Sequence, residues 1–220
     1  YVVVSENLCS RIDENTDIKE AAFTVLGSIA LHGLRLSETS LGSKVVVVGL
    51  GVIGQLVCRL AEAQGSEVIG IDPDPERSKY GDNFFTSADD VELKDVDSVI
   101  ITAATSSNEP IELATKIARN KAKIVVIGDI PLNISRNDFY YKELELVVSK
   151  SYGPGRYDKQ YEALGNDYPI EYVRWTENRN FEAFTKLLSQ KQIHLLDLVS
   201  EEIAFEDAPS VYEKFEDEVK

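Results

Sequence analysis

Four consecutive valines run directly into a set of spaced glycines, and no other feature restricts the fold of this chain so severely. The stretch is VVVVGLGVIGQLVCRLAEAQGSEVIGID, residues 45–72. An unbroken β-branched run is the mark of a strand buried on both faces. After the glycines, Ile53, Leu56, Val57, Leu60 and Ala61 recur at spacings of three and four. That is the period of a helix with one apolar side. A second apolar run, VIGI (68–71), then ends in Asp72.

The same rhythm continues downstream. SVIIT (98–102), KIVVI (123–127) and ELVV (145–148) read as further strands, and a helix is predicted near 109–120 with Ile111, Ala114, Ile117 and Ala118 on one side. Apolar strands alternating with amphipathic helices predict an α/β fold, a Rossmann-type doubly wound parallel sheet. Ahead of it, KEAAFTVLGSIALHGLRL (Lys19 to Leu36) reads as one largely buried helix, with a break at Ser40 to Ser43. Between Asp72 and Gly81 there is room for only about two turns at ~3.6 residues per turn. After Lys150 the rhythm is lost and an irregular C-terminal extension follows, with a helix resuming near Phe181 to Leu188. The end, EEIAFEDAPSVYEKFEDEVK, reads as a strand and then an acidic helix. The predicted organisation is a connector (1–18), a nucleotide-binding domain (19–150) and a C-terminal segment (151–220).

Gly49, Gly51 and Gly54 form G-x-G-x-x-G between a strand and a helix. The first glycine permits the tight turn, the second lets a pyrophosphate approach the backbone, and the third allows close helix–sheet packing. The helix starting near Val52 and Ile53 would aim its free N–H groups and positive dipole end at phosphate. Asp72 follows Gly54 at the interval expected of the acid that binds a ribose 2′-OH, which favours NAD over NADP. Small residues at two later strand ends, Ala103 with Thr105 and Gly128, leave room for the two halves of a dinucleotide. A bare βα turn, with Asp72 capping the next helix, accounts for the same pattern without a ligand.

With 38 acidic and 23 basic residues the net charge is −15, which disfavours nucleic acid and anionic lipid as partners. No apolar run approaches the ~20 residues of a membrane span, and the start shows no signal peptide. Two cysteines, Cys9 and Cys58, suit a reducing, cytoplasmic setting. His32 and His194 are far apart, and neither cysteine has a partner at ligand spacing, so no metal is expected. Cys58 reads as a small core residue, and His32 as a helix-packing or capping residue. The chain contains no Met at all, which suggests a processed or trimmed piece of a larger protein.

AAFTVLGSIALHGLR followed by the glycine segment, and ITAATSSNEPIELATKIARNKAKIVVIGD after it, resemble the cofactor domain of the medium-chain, zinc-type alcohol dehydrogenase superfamily. SYGPGRYD (151–158) and DYPIEYVRWTENRN resemble, more narrowly, bi-domain oxidoreductases associated with polysaccharide biosynthesis. The resemblance implies an NAD-dependent oxidoreductase whose GroES-like catalytic domain precedes this chain. It implies a small-molecule substrate, with a sugar or sugar nucleotide among the candidates, and a missing catalytic domain or a second copy as partner. From the residues themselves, Gly153-Pro154-Gly155 forces a turn that presents Arg156 and Tyr157. Arg156 suits a bidentate clamp on carboxylate or phosphate, and Tyr157 a hydrogen-bond donor to a carbonyl oxygen. Tyr168, Tyr172, Trp175, Arg174 and Arg179 could stack on a sugar, or could equally hold a neighbouring domain. A non-catalytic NAD-sensing module is the alternative function.

Overall fold

The structure, a computed structural model, describes residues 2–212. Its six strands are β1 (Lys44–Val48), β2 (Glu67–Ile71), β3 (Phe84–Phe85), β4 (Val96–Ile101), β5 (Ala118–Val126) and β6 (Glu145–Val148). They form one sheet in the order β3-β2-β1-β4-β5-β6, with every pairing parallel. The helices are α1 (Ile18–Ala21), α2 (Thr24–Leu36), α3 (Val52–Ala63), α4 (Pro75–Ser78), α5 (Glu109–Ile117), α6 (Arg136–Lys142), α7 (Lys159–Glu162) and α8 (Glu177–Ser189).

The valine run is explained by its two-sided burial. Side chains alternate across a strand, so Val45 and Val47 enter one core cluster and Val46 and Val48 the other. On the first face Leu56, Val57 and Leu60 of α3 meet Ala30 and Leu34 of α2. On the second, Ile111, Ala114 and Ile117 of α5 cover Ile69, Val99 and Ile101. An apolar residue at each of positions 45–48 is therefore needed, since neither face meets water there.

Several expectations are corrected. The helix from Lys19 to Leu36 is broken at Ala22 and Phe23: the Thr24 hydroxyl donates to the Ala21 carbonyl at 2.6 Å, and the chain re-enters a helix as α2. The helix expected to run to about 120 ends at Ile117, because Ala118 turns extended and pairs with Val96. Strand β5 therefore begins earlier than KIVVI, and Ile127 lies beyond its end. The two-residue strand β3 was not anticipated; Phe84 lies opposite Gly70 in the ladder. No strand forms at 201–204: a short 3-10 turn, Phe205–Asp207, is followed by a helix from residue 208. The rest of the expected acidic helix, 213–220, lies outside the described residues.

Part of the irregular extension completes the domain's own core. Phe184, Leu188, Ile193 and Leu195 belong to the same cluster as Val45 and Leu56. Helices α2 and α8 meet closely at Gly27, where a Cβ would stand 2.1 Å from the Phe184 ring. The segment before the sheet joins them. The Glu20 carboxylate accepts the Leu195 N–H at 2.7 Å, Asn178 Nδ2 donates to the Cys9 carbonyl at 2.7 Å, and Asn7 Nδ2 donates to the Tyr161 carbonyl at 2.9 Å.

Candidate functional site

In a parallel sheet all carboxyl ends lie along one edge. Strand order turns in opposite directions at β1 and β4, and the crevice between their ends is where α/β sheets bind ligands. A cleft of about 740 Å³ opens there. Its walls include Gly49, Gly51, Asp72, Arg77, Thr86, Ser87, Thr102, Ala103 and Thr105.

The three glycines have unlike surroundings. Gly49 has φ +96°, and a Cβ there would lie 2.6 Å from the Ala103 amide nitrogen. At Gly54 a Cβ would lie 1.9 Å from the Gly49 carbonyl oxygen. Gly51 has an ordinary φ of −63°, and a Cβ there meets nothing within 4 Å. Two glycines thus allow backbone to meet backbone, while the third faces open cleft at the start of α3. The first N–H groups of that helix, at Val52, Ile53 and Gly54, have no intrahelical acceptor. The Ile53 side chain itself turns into the core. The Thr102 hydroxyl, donating to the Gly49 carbonyl at 2.5 Å, holds the turn from the β4 side.

Asp72 is buried at the end of β2 and ties two turns together. Its Oδ2 accepts the Leu50 N–H at 2.7 Å and its Oδ1 accepts the Asp74 N–H at 2.9 Å. Arg77 Nη1 stands 3.5 Å from the same carboxylate. A carboxylate has about four acceptor positions, so capacity remains toward the cleft. Gln55, not singled out by sequence, is buried beneath this corner and donates from Nε2 to the Leu50 and Arg77 carbonyls at 3.3 and 3.0 Å.

The other expected residues lie apart from these walls. Gly128 packs on the end of β4, where a Cβ would stand 2.0 Å from the Ala103 carbonyl oxygen. Arg156 and Tyr157 do not line the cleft; they belong to a loop that follows β6. That loop has left-handed backbone at Ser151, Gly153, Gly155 and Tyr157 (φ 48°, 106°, 107° and 68°). Strain of this kind persists only where surrounding contacts over-determine it. Here Arg156 Nη1 meets Glu162 at 2.7 Å, the Tyr157 N–H donates to the same carboxylate at 3.1 Å, and the Glu177 N–H donates to the Pro154 carbonyl at 2.8 Å. The hydrogen bond between them raises the Arg156 pKa and lowers that of Glu162. Tyr157 is exposed, with the Arg156 and Lys150 cations 4.2 and 5.3 Å from its ring.

His32 is half-buried against Gly153, and burial lowers its pKa. Cys58 is buried in α3, where burial pushes its thiol far up. Among the described residues no three His, Cys, Asp or Glu side chains are grouped as a metal site, and no helix is long and apolar enough to cross a membrane.

Known proteins share parts of this sequence and its fold. The chain is 26% identical over 178 residues to 2-dehydro-3-deoxy-L-galactonate 5-dehydrogenase of Pseudoalteromonas atlantica, a match covering 74% of this chain and 49% of that protein. It is 34% identical over 89 residues to D-xylulose reductase A of Aspergillus oryzae, covering 40% and 25% of the two chains. The chain thus spans at most about half the length of these curated relatives. Galactitol-1-phosphate dehydrogenase of Escherichia coli shares the fold with a TM-score of 0.71 at 19% identity, covering 90% of this chain and 57% of that one. An alcohol dehydrogenase of E. coli CFT073 complexed with NADH also gives 0.71, at 18% identity and with 94% and 58% covered. The family model for the NAD-binding domain of D-isomer specific 2-hydroxyacid dehydrogenases matches residues 19–138. Strand order, glycine turn and buried aspartate agree with that match, and the chain belongs to this NAD-binding domain family.

Proposed function

We propose that the chain is the coenzyme-binding portion of an oxidoreductase that moves hydride between nicotinamide and a hydroxyl or carbonyl group of a small sugar- or polyol-derived substrate. The observation that carries this reading is the open space at Gly51 beside the buried Asp72 carboxylate. Backbone from Gly49 to Gly54, with Val52 and Ile53 opening the helix, would hold the pyrophosphate. Asp72 would accept from the ribose diol through the lone pairs its two backbone donors leave free. Ala103 and Thr105 would flank the dinucleotide, with Gly128 behind them. When bound, NAD supplies the hydride-accepting ring, and the protein supplies position and electrostatics.

Arg156 and Tyr157 are the groups we assign to the substrate, on a loop whose clamps hold it in one conformation. Residues 1–18 and 151–220 would serve in part to join a catalytic domain, in the bi-domain arrangement that SYGPGRYD suggests. The curated relatives' names favour sugar and polyol substrates, while the family match favours a 2-hydroxy acid. Two unpaired cysteines agree with a cytoplasmic setting.

Calorimetric titration with NADH and NADPH tests the coenzyme half of the proposal. NADH binding that exceeds NADPH binding, and that is lost in Asp72→Ala, is the expected result. Binding of neither coenzyme would refute it.

A further inference from the structure

A second site stands away from the cleft. Trp175, half-buried ahead of α8, carries two guanidinium groups: Arg35 Cζ is 3.3 Å from its ring centroid and Arg174 Cζ 3.9 Å. Arg59, Arg77, Arg119, Arg156 and Arg179 each meet a carboxylate. Arg11, Arg35, Arg136 and Arg174 meet none among the described residues, and of these only Arg35 and Arg174 share one ring, although the chain has 38 acidic residues to 23 basic ones. Two guanidiniums this close to one ring centroid lie on opposite faces of the indole, and like charges at that separation repel, more strongly where water is partly excluded.

Arg35 is built into place. Its Nε donates to Asn180 Oδ1 at 3.0 Å, and the buried Asn180 is itself fixed by Nδ2 donating to the Tyr152 carbonyl at 2.9 Å. The two terminal nitrogens of Arg35 bond nothing among the described residues and reach solvent. One edge of the guanidinium is thereby anchored beside the indole, and its terminal fork is left without a partner among the described residues. Such a fork matches the paired oxygens of a carboxylate or phosphate. Burial and the neighbouring Arg174 push the Arg35 pKa down to about 10, a cost that a bound anion would relieve.

We propose that Arg35, Trp175 and Arg174 form a binding site for a small oxyanion, phosphate or carboxylate, separate from the dinucleotide cleft. None of the three lines that cleft.

Trp175 is the chain's single tryptophan, so all tryptophan fluorescence arises at this site. The intact chain is titrated with inorganic phosphate and, separately, malonate, at constant ionic strength set by chloride. A saturable change with one or both is expected, and the tighter of the two identifies the preferred oxyanion. Arg174→Gln, at an exposed position, should weaken it about tenfold or more, as loss of a charged hydrogen bond does. Arg174→Lys should fall between the two. Gly51→Val, which fills the cleft, should leave the response intact. The proposal is overturned by a linear or absent response, by an unchanged response in Arg174→Gln, or by its loss in Gly51→Val, which would place the anion in the coenzyme cleft.

Discussion

Glu177→Gln should make the protein more stable, and only at the alkaline end of its range. Glu177 is fully buried at the start of α8, and neither carboxylate oxygen has a hydrogen-bond partner. Burial is the largest influence on its pKa, the nearby Glu162 adds repulsion, and Arg156 only partly offsets them; the value is pushed from 4.5 up to about 7. The folded chain therefore keeps this proton where the unfolded chain has released it. Stability is complete below the unfolded value and falls as pH rises through the folded one. At about 1.36 kcal/mol per unit, the full penalty is about 3 kcal/mol above neutrality. A glutamine has no charge to bury, and the cost of its unpaired amide, about 1–3 kcal/mol, is the same at every pH. Urea unfolding of both proteins near pH 5.5 and 8.5 isolates the titration. The variant should gain about 2 kcal/mol on the wild type between those two conditions. Parallel pH profiles would show that the Glu177 carboxylate is solvated or partnered, and would refute the reasoning.

Gly51→Val should fold with an unchanged thermal midpoint and fail to bind NADH in a calorimetric titration, since its side chain enters open cleft rather than protein. Gly54→Ala should instead lower the midpoint, because its Cβ would stand 1.9 Å from a carbonyl oxygen. Phe184→Ala, in the centre of the α2–α8 contact, should cost about 3–5 kcal/mol in denaturant unfolding. One thiol should react with a chromogenic disulfide in the native protein and two in denaturant: Cys9 is exposed, while burial keeps Cys58 protonated.

What could be read from the sequence followed from how many faces each segment buries. Towards their carboxyl ends β1, β2, β4 and β5 are covered on both sides, so their apolar runs are continuous there, whereas β5 opens on exposed Arg119, Asn120 and Lys121. Strand β3 has only Phe84 and Phe85, too short for any period to register. At Ala118 an alanine satisfied helical spacing with Ile111 and Ala114 but also the strand pairing with Val96, and the ladder prevailed. Gly51 and Asp72 stood out because open space at a turn and a carboxylate at a strand end each admit few residue types. Gln55, Arg77, Thr86 and Ser87 gave no such sign, since polar side chains on turns and helix corners follow no period. Arg156 and Tyr157 were legible as a presented pair, but their clamp, Glu162 and Glu177, depends on helices that only the fold brings near the loop.

The bond between Glu20 and Leu195 joins residues 175 positions apart, and it bears on the order of folding. Closing so long a loop carries an entropic cost that only subsequent contacts recover. The sheet from β1 to β6 consists of nearer partners and can form first, with α8 and the leading segment docking afterwards. A ribosome must therefore release the chain beyond Leu195 before the face that holds Val45 and Leu56 is sealed. Until then that apolar surface is open to chaperones. Amide hydrogens of α8 should accordingly exchange sooner than those of β1 and β4, marking the last unit to assemble as the first to open.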